Sequence, residues 1–339
     1  MRIAFTTLGC RLNQFESDAL GRMARESGHE VVAPEQADVV VVNTCAITHE
    51  ADADSRQRVR QVTRRRPGAR VVVTGCYASA SPEEVAALPG VALVVGNHEK
   101  ESLIERLARL APDAPRDAAP VVHVRPADLA RRRRVAALRP ELAPERSRAY
   151  LKIQDGCDYR CSFCIVPSVR GRSASVPAAR VAAQLDELVA AGVPEVVLTG
   201  VHLGTYGRDL EPRARLDALL TEELIPRLGA SRLRLGSLDP HEVSGALIDA
   251  LERHGGARLC RHLHLPTQSG DDGVLRRMRR AHTSGDLKEL TGALARRVPG
   301  VALGTDVIVG FPGETDAEFE RTRALLESLP LAYLHVFPF

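Results

Sequence analysis

Three cysteines in the run Gly156-Cys157-Asp158-Tyr159-Arg160-Cys161-Ser162-Phe163-Cys164 are spaced C-x3-C-x2-C, so one short loop carries three thiols. The preceding Tyr150-Leu151-Lys152-Ile153-Gln154 alternates in polarity and reads as a strand. Asp155-Gly156 breaks it, which puts the thiols on a loop at the strand's C-terminal end. Three is the informative number. A closed zinc site or a saturated iron–sulfur cluster wants four protein ligands, and no fourth Cys or His lies within a few residues. Three thiolates can hold three corners of a [4Fe–4S] cube and leave the fourth iron open. An open iron can be chelated by the amino and carboxylate groups of S-adenosylmethionine, which an electron from the cluster then cleaves to a carbon radical. Zinc and plain packing stay open as alternatives.

The elements around the other cysteines repeat one theme. Ile3–Leu8 reads as a strand and Gln14–Ser27 as a helix. Asp38–Asn43 is a near-continuous β-branched run, as in a strand buried on both faces of a parallel sheet. Glu50–Arg66 has helical charge spacing and stops at Pro67-Gly68. Arg70–Thr74 is another buried strand. Ser81-Pro82-Glu83-Glu84 looks like an N-cap with proline at the first helical position. Ala92–Val95 and a helix over Glu99–Leu110 follow. This alternation predicts a doubly wound parallel α/β domain over residues 1–110. Cys10, Cys45 and Cys76 each fall just past a strand of that sheet, at the edge where open α/β sheets bind ligands. The placement predicts a second three-thiolate site with one iron free. The plainer reading is three half-buried thiols at strand ends.

Residues 111–148 are a Pro- and Arg-rich linker, with Ala111–Pro115, Arg131–Arg134 and Arg139-Pro140. The arginine run is either a phosphate contact or a solvated charge run. Over residues 149–339 alternation resumes, with strands at Tyr150–Gln154, Glu195–Thr199, Arg232–Ser237, His262–Thr267, Ala302–Val309 and Ala332–Phe337. Helices are expected at Ala178–Ala191, Ala214–Leu228, Val243–Arg253, Asp286–Val298 and Thr315–Ser328. Six such units fit a partial (β/α)6 barrel with its site at the C-terminal strand ends. Strand-end candidates for cofactor contact are Thr199, Gly200, Ser237, Gln268, Val309 and Gly310. Arg170-Gly171-Arg172 could hold phosphates or be surface arginines. Cys260 reads as a free thiol, and His262 and His264 as core or surface residues sharing a strand face.

Composition narrows the class. A chain of 339 residues with 44% hydrophobic and 26% charged residues can bury a large core, and with no Trp its volume comes from Val, Leu, Ala and Ile. Net charge +3 alone does not indicate nucleic acid. No run reaches about 18 apolar residues, so no membrane span is expected. Met1–Phe5 already reads as strand and not as a signal peptide. Seven cysteines without a secretory signal argue for a reducing cytosol and metal-bound thiolates, hence a cytoplasmic protein.

The Cys157/Cys161/Cys164 triplet resembles the signature of the radical S-adenosylmethionine superfamily, which implies that Phe163 lies by the adenine. Asp306-Val307-Ile308-Val309-Gly310-Phe311-Pro312-Gly313-Glu314 resembles a motif beside the adenine in that superfamily. The whole chain, from Thr7-Leu8-Gly9-Cys10 to Phe311-Pro312-Gly313-Glu314, looks like the methylthiotransferase family. The resemblance implies two [4Fe–4S] clusters, one on Cys10, Cys45 and Cys76 and one on the catalytic Cys157, Cys161 and Cys164. It implies that one S-adenosylmethionine methylates a sulfur at the first cluster. A second is cleaved to a 5′-deoxyadenosyl radical that abstracts hydrogen from C2 of an adenine, both open irons facing one cavity. The pieces Ala53–Gln57, Thr74-Gly75-Cys76-Tyr77-Ala78 and Lys152–Cys157 are most similar to the branch acting on threonylcarbamoyladenosine at position 37, in the tRNA anticodon loop. The isopentenyladenosine branch, the ribosomal-protein aspartate branch, a non-catalytic iron–sulfur carrier and a zinc-dependent RNA-binding protein are the alternatives. The family implies an electron donor such as flavodoxin or ferredoxin, and no membrane. Members usually continue into a small tRNA-binding β-barrel, whereas this sequence stops at Val336-Phe337-Pro338-Phe339.

Overall fold

β-branched runs make the first sheet. The computed structural model describes residues 1–110, 119–124, 133–142 and 145–339. Strands β1 (Arg2–Thr7), β2 (Glu30–Val31), β3 (Val39–Thr44), β4 (Arg70–Gly75), β5 (Val91–Val95) and β6 (Val121–His123) pair in parallel in the order β2-β1-β3-β4-β5-β6. Val40, Val41 and Val42 on β3 and Val71, Val72 and Val73 on β4 have no exposed surface. Both faces of these strands are covered, as uninterrupted valine runs demand. Helices α1 (Arg11–Glu26), α2 (His49–Arg65), α3 (Cys76–Ala80), α4 (Pro82–Ala86) and α5 (Leu103–Arg109) connect the strands. Thr48 caps α2 by accepting from Ala51 N.

Three local expectations change here. Ser81 precedes Pro82 at the start of α4 but makes no side-chain cap, because it also ends α3, a turn absent from the sequence reading. The helix expected over Glu99–Leu110 begins as a 3-10 turn, Asn97–Ser102. Strand β6 lies within the expected linker and pairs with β5. Residues 133–142 are also tied down: Arg22 donates to Pro140 O at 2.7 Å, Arg134 pairs with Glu101, and Leu138 is buried. Ala111–Pro115, Arg131 and Arg132 lie outside the described residues.

Two compact units divide the chain. The first holds residues 1–143, 155–158 and 165–174, and the second holds 144–154, 159–164 and 175–339. A short helix, α6 (Val166–Arg170), therefore belongs with the first sheet.

In the second unit, β7 (Ala149–Lys152), β8 (Glu195–Thr199) and β9 (Arg232–Leu235) form one parallel sheet. β10 (His262–His264), β11 (Ala302–Val309) and β12 (Tyr333–Pro338) form another. Parallel bridges Leu233–Leu259 and Ser237–His264 join the two, so six strands follow in chain order as a partial barrel. The strand expected through Thr267 ends at His264, because Pro266 has no N–H for the ladder. The helix expected over Ala214–Leu228 is instead α, π and 3-10 turns over Leu216–Ala218, Leu219–Leu224 and Ile225–Arg227. Pro226 cannot donate to the residue four back, and the ladder shifts around it. The remaining helices are α7 (Ala178–Ala190), α8 (Gly245–His254), α9 (Asp272–Arg277), α10 (Ser284–Arg297) and α11 (Asp316–Ser328). Of these, α9 was not expected. Capping boxes Thr283/Asp286 and Thr315/Glu318 start α10 and α11. Among the described residues no helix is long and apolar enough to cross a membrane.

Candidate functional site

The strand order of the first sheet reverses between β1 and β3, and Cys10, Cys45 and Cys76 follow β1, β3 and β4 at that edge. Two glycines let the edges close up. A Cβ on Gly9 would lie 2.9 Å from Cys45 Sγ, and one on Gly75 would lie 2.3 Å from Thr44 O; both glycines have positive φ. The glycine before Cys10 thus lies on Cys45, and the glycine before Cys76 lies on the residue before Cys45. Burial above all pushes the Cys45 thiol up to about 11; an Ile47 N–H opposes this, and the neighbouring Cys76 and Cys10 charges add to it. Cys45 and Cys76 are buried and Cys10 is exposed.

Beneath them lies a buried polar floor. Asn13 Nδ2 donates to Leu8 O at 2.8 Å and Thr44 O at 2.9 Å, holding the ends of β1 and β3 together. Asn97 Nδ2 reaches Cys76 Sγ at 3.7 Å and Val169 O at 2.9 Å. Lys100, fully buried, pairs with Glu16 and donates to Asn43 at 3.1 Å. Arg170, 3% exposed, donates to Glu16 at 2.9 Å, Asp155 at 3.2 Å and Asn13 at 2.7 Å. Burial alone would lower the Arg170 pKa, but the charges of Cys76, Glu16 and Asp155 outweigh it and hold it well above its usual value. For Lys100 burial wins over Glu16, and its pKa falls. Arg170 is therefore no phosphate-holding surface arginine: Glu16, Asp155 and Asn13 already use its fork. Arg172 is exposed and paired with Asp158 at 3.0 Å. Arg133 of the basic run pairs with the same carboxylate at 3.1 Å.

The second thiol group starts where expected. Gly156 has φ +69°, and a Cβ there would lie 2.2 Å from Arg172 O. Cys157 N donates to Gly171 O at 3.0 Å, so the ends of the loop are laced together. Cys157 is buried, Cys161 half-buried and Cys164 exposed. In the second unit, Arg280 Nη1 reaches Cys161 Sγ at 3.7 Å, while Nη2 donates to Pro266 O at 2.9 Å and pairs with Asp239. Burial would raise the Asp239 carboxyl; hydrogen bonds from His241 and His282 and the Arg280 charge carry it far below the usual range. Phe163 packs with Val274, Met278, Phe311 and Ile308. Asp239 belongs to the strand end Ser237-Leu238-Asp239-Pro240 that the sequence marks as a site candidate, whereas nothing in the sequence points to Arg280, because the turn after α9 that brings it back to the loop carries no local signal.

Thr199, Gly200, Val309 and Gly310 sit at strand ends, while Ser237 and Gln268 lie two and four residues past β9 and β10, bridged to His264 and Val307. Thr199 is buried and Gly200 lies against Gln154 O, where a Cβ would be 3.0 Å away. Ser237 is exposed. Gln268 adopts φ +74°; its N–H donates to Asp306 O and its carbonyl accepts from Ile308 N, each at 2.8 Å. Val309 ends β11, and the Gly310 N–H donates to Glu314 Oε2 at 2.7 Å. Cys260 is a buried thiol 3.5 Å from Glu195 Oε2.

The donor chemistry of both groups fits iron–sulfur clusters. Each offers three thiols, and each has an N–H donor directed at one sulfur, Asn97 at Cys76 and Arg280 at Cys161. Residues 151–326 match the Radical SAM superfamily and residues 2–96 match a family described as Uncharacterized protein family UPF0004. A solved radical S-adenosylmethionine methyltransferase, TsrM from Kitasatospora setae, shares the fold with TM-score 0.69 at 16% identity, over 99% of this chain and 72% of that one.

Sequence relatives are closer. Threonylcarbamoyladenosine tRNA methylthiotransferase MtaB of Bacillus subtilis is 39% identical, over 99% of this chain and 73% of the relative. MtaB of Aquifex aeolicus is 39% identical, over 100% and 80%. Ribosomal protein uS12 methylthiotransferase RimO of Chloroflexus aurantiacus is 36% identical, over 98% and 74%. The chain belongs to the radical S-adenosylmethionine methylthiotransferase family. It is a transferase that works with two [4Fe–4S] clusters and S-adenosylmethionine.

Proposed function

We propose that this enzyme adds a methylthio group to C2 of N6-threonylcarbamoyladenosine at position 37 of tRNA. Similarity over 99–100% of this chain, and 73–80% of the relatives, to proteins named for that nucleoside carries the reading. The RimO relatives support a second reading, a ribosomal-protein aspartate. Cys10, Cys45 and Cys76 would hold one cluster, and Cys157, Cys161 and Cys164 the other. When bound, the first supplies the place where sulfur is methylated and the second supplies the electron that cleaves S-adenosylmethionine.

The protein's own residues then position and insulate. Asn13 clamps the strand ends that carry Cys10 and Cys45, and the Asn97 amide donates toward the Cys76 sulfur. Arg280 donates toward the Cys161 sulfur and is itself held by Asp239. Phe163 would lie by the adenine, and Thr199, Gly200, Ser237, Gln268, Val309 and Gly310 would contact S-adenosylmethionine. An anticodon-loop adenine suits such a site, because loop bases can splay into a pocket. The setting would be the cytoplasm, with a flavodoxin or ferredoxin as electron donor.

Nucleoside mass spectrometry of tRNA from a strain lacking the gene should show loss of the methylthio form of threonylcarbamoyladenosine alone. Loss of a different methylthio nucleoside, or an unchanged tRNA pool with unmodified uS12, would overturn the choice. In reconstituted protein, Cys157→Ala should abolish 5′-deoxyadenosine release. Cys45→Ala should spare that release and stop methylthiolation; survival of methylthiolation would remove the first ligand set.

A further inference from the structure

One face of the β10–β11–β12 sheet carries a polar group that includes none of the cluster cysteines. Alternation and the parallel register, His264 beside Gly304, Gly304 beside Tyr333 and Asp306 beside His335, place these side chains on that face. Asp306 Oδ1 lies 3.0 Å from His264 Nε2 and 3.0 Å from His335 Nδ1. The three ligand atoms all lie within 4.8 Å of one another. Gly304 makes the arrangement possible. A Cβ there would lie 2.1 Å from the Tyr333 ring, so that ring crosses the bare glycine. Its hydroxyl then reaches His264 Nδ1 at 3.2 Å and His262 Nε2 at 2.8 Å.

This is how histidine ligands are oriented: one ring nitrogen is held by a polar partner, and the other is aimed at the metal. If the hydroxyl accepts from His264 Nδ1–H, then Nε2 turns a lone pair toward the Asp306 carboxylate. Two acceptors 3.0 Å apart take either a proton or a metal cation between them. We propose that His264, Asp306 and His335 bind a divalent first-row metal ion. Two imidazoles and one carboxylate suit Mn2+, Fe2+ or Zn2+ and leave positions open for water or a substrate oxygen. His264 is buried and His335 is 57% exposed, which gives the ion a path in from solvent. The inference does not depend on the cluster assignment.

The test uses the full chain with its clusters reconstituted, stripped of loose metal and titrated with MnCl2 under nitrogen. Electron paramagnetic resonance of the aqueous ion counts free Mn2+. One Mn2+ per chain should disappear from that signal. Asp306→Asn and His335→Ala should each weaken binding about 10-fold or more, and Tyr333→Phe about 10-fold. Cys157→Ala should bind Mn2+ unchanged, which separates this site from the cluster loop. His335→Ala alters an exposed side chain, so it tests the site without threatening the fold. If the parent takes up no Mn2+ stoichiometrically, or Asp306→Asn and His335→Ala bind as it does, the group is a proton-sharing His–Asp–His chain and the proposal fails.

Discussion

Arg170 shows how far a single residue can depart from its local sequence. Between Val169 and Gly171-Arg172 it looks like one of a pair of surface arginines. Its partner Glu16 is 154 residues away, and only the folded chain brings them together. Removing the guanidinium would take a buried cation away from Glu16 and Asp155 and leave Lys100 paired with Glu16. Arg170→Met should therefore cost about 3–5 kcal/mol in urea unfolding, and Arg170→Lys less, since it keeps the charge but loses the fork. An Arg170→Met midpoint equal to the parent's would show that the floor adds no stability. Cys45 makes a related point. Its position after a buried strand was legible; that Gly9 and Gly75 must be side-chain-free for the edges to close was not.

At the scale of elements, the radical loop is set by its stem. Gly156 reads in the sequence as a strand breaker. The structure adds that its backbone is left-handed and presses on Arg172 O, a contact between two ends of one loop. Gly156→Ala should be strained on both counts. The expected result is loss of the Cys157/Cys161/Cys164 cluster, so that iron falls from about eight to about four per chain while the fold persists. A full iron complement in that variant would disprove the stem's role. Strands were read well because valine runs and period-2 alternation are local signals. Short helices such as α3, α6 and α9 were missed, because five or six residues are too few to show a helical period. The break at Pro226 was equally readable in principle, since a missing N–H is a property of one residue.

At the scale of the whole molecule, charge pairing in the barrel predicts its response to acid. Glu195 on β8 is buried and takes Arg148 at 3.0 Å, Arg232 at 2.8 Å and Arg234 at 2.6 Å. Burial raises its pKa, but the Arg234 hydrogen bond and the surrounding arginine charges win and lower it to about 2. A carboxylate depressed in the folded state stabilises fully above the unfolded value of 4.5, and that contribution is lost as pH falls toward about 2. Metal-free protein should thus lose about 1–3 kcal/mol between pH 5 and pH 2.5 through this group. Glu195→Gln should show a correspondingly flatter pH dependence of its urea midpoint. Equal slopes for the two proteins would show that the arginines contribute nothing net.

What the sequence determined by itself was chemistry and order. Three thiols within eight residues, three more after buried strands, and an alternation of strand and helix are all short-range patterns, and they sufficed for the fold class, while the family came from the resemblance of the motifs around them. What only the tertiary structure decided was the company each group keeps. The Arg170–Glu16–Lys100 floor, Arg280 on Cys161 and the meeting of His264, Asp306 and His335 all join residues tens to hundreds of positions apart. Hydrogen bonds and ion pairs act over a few ångströms of space, and separation along the chain carries no record of which distant side chains will fall within that reach.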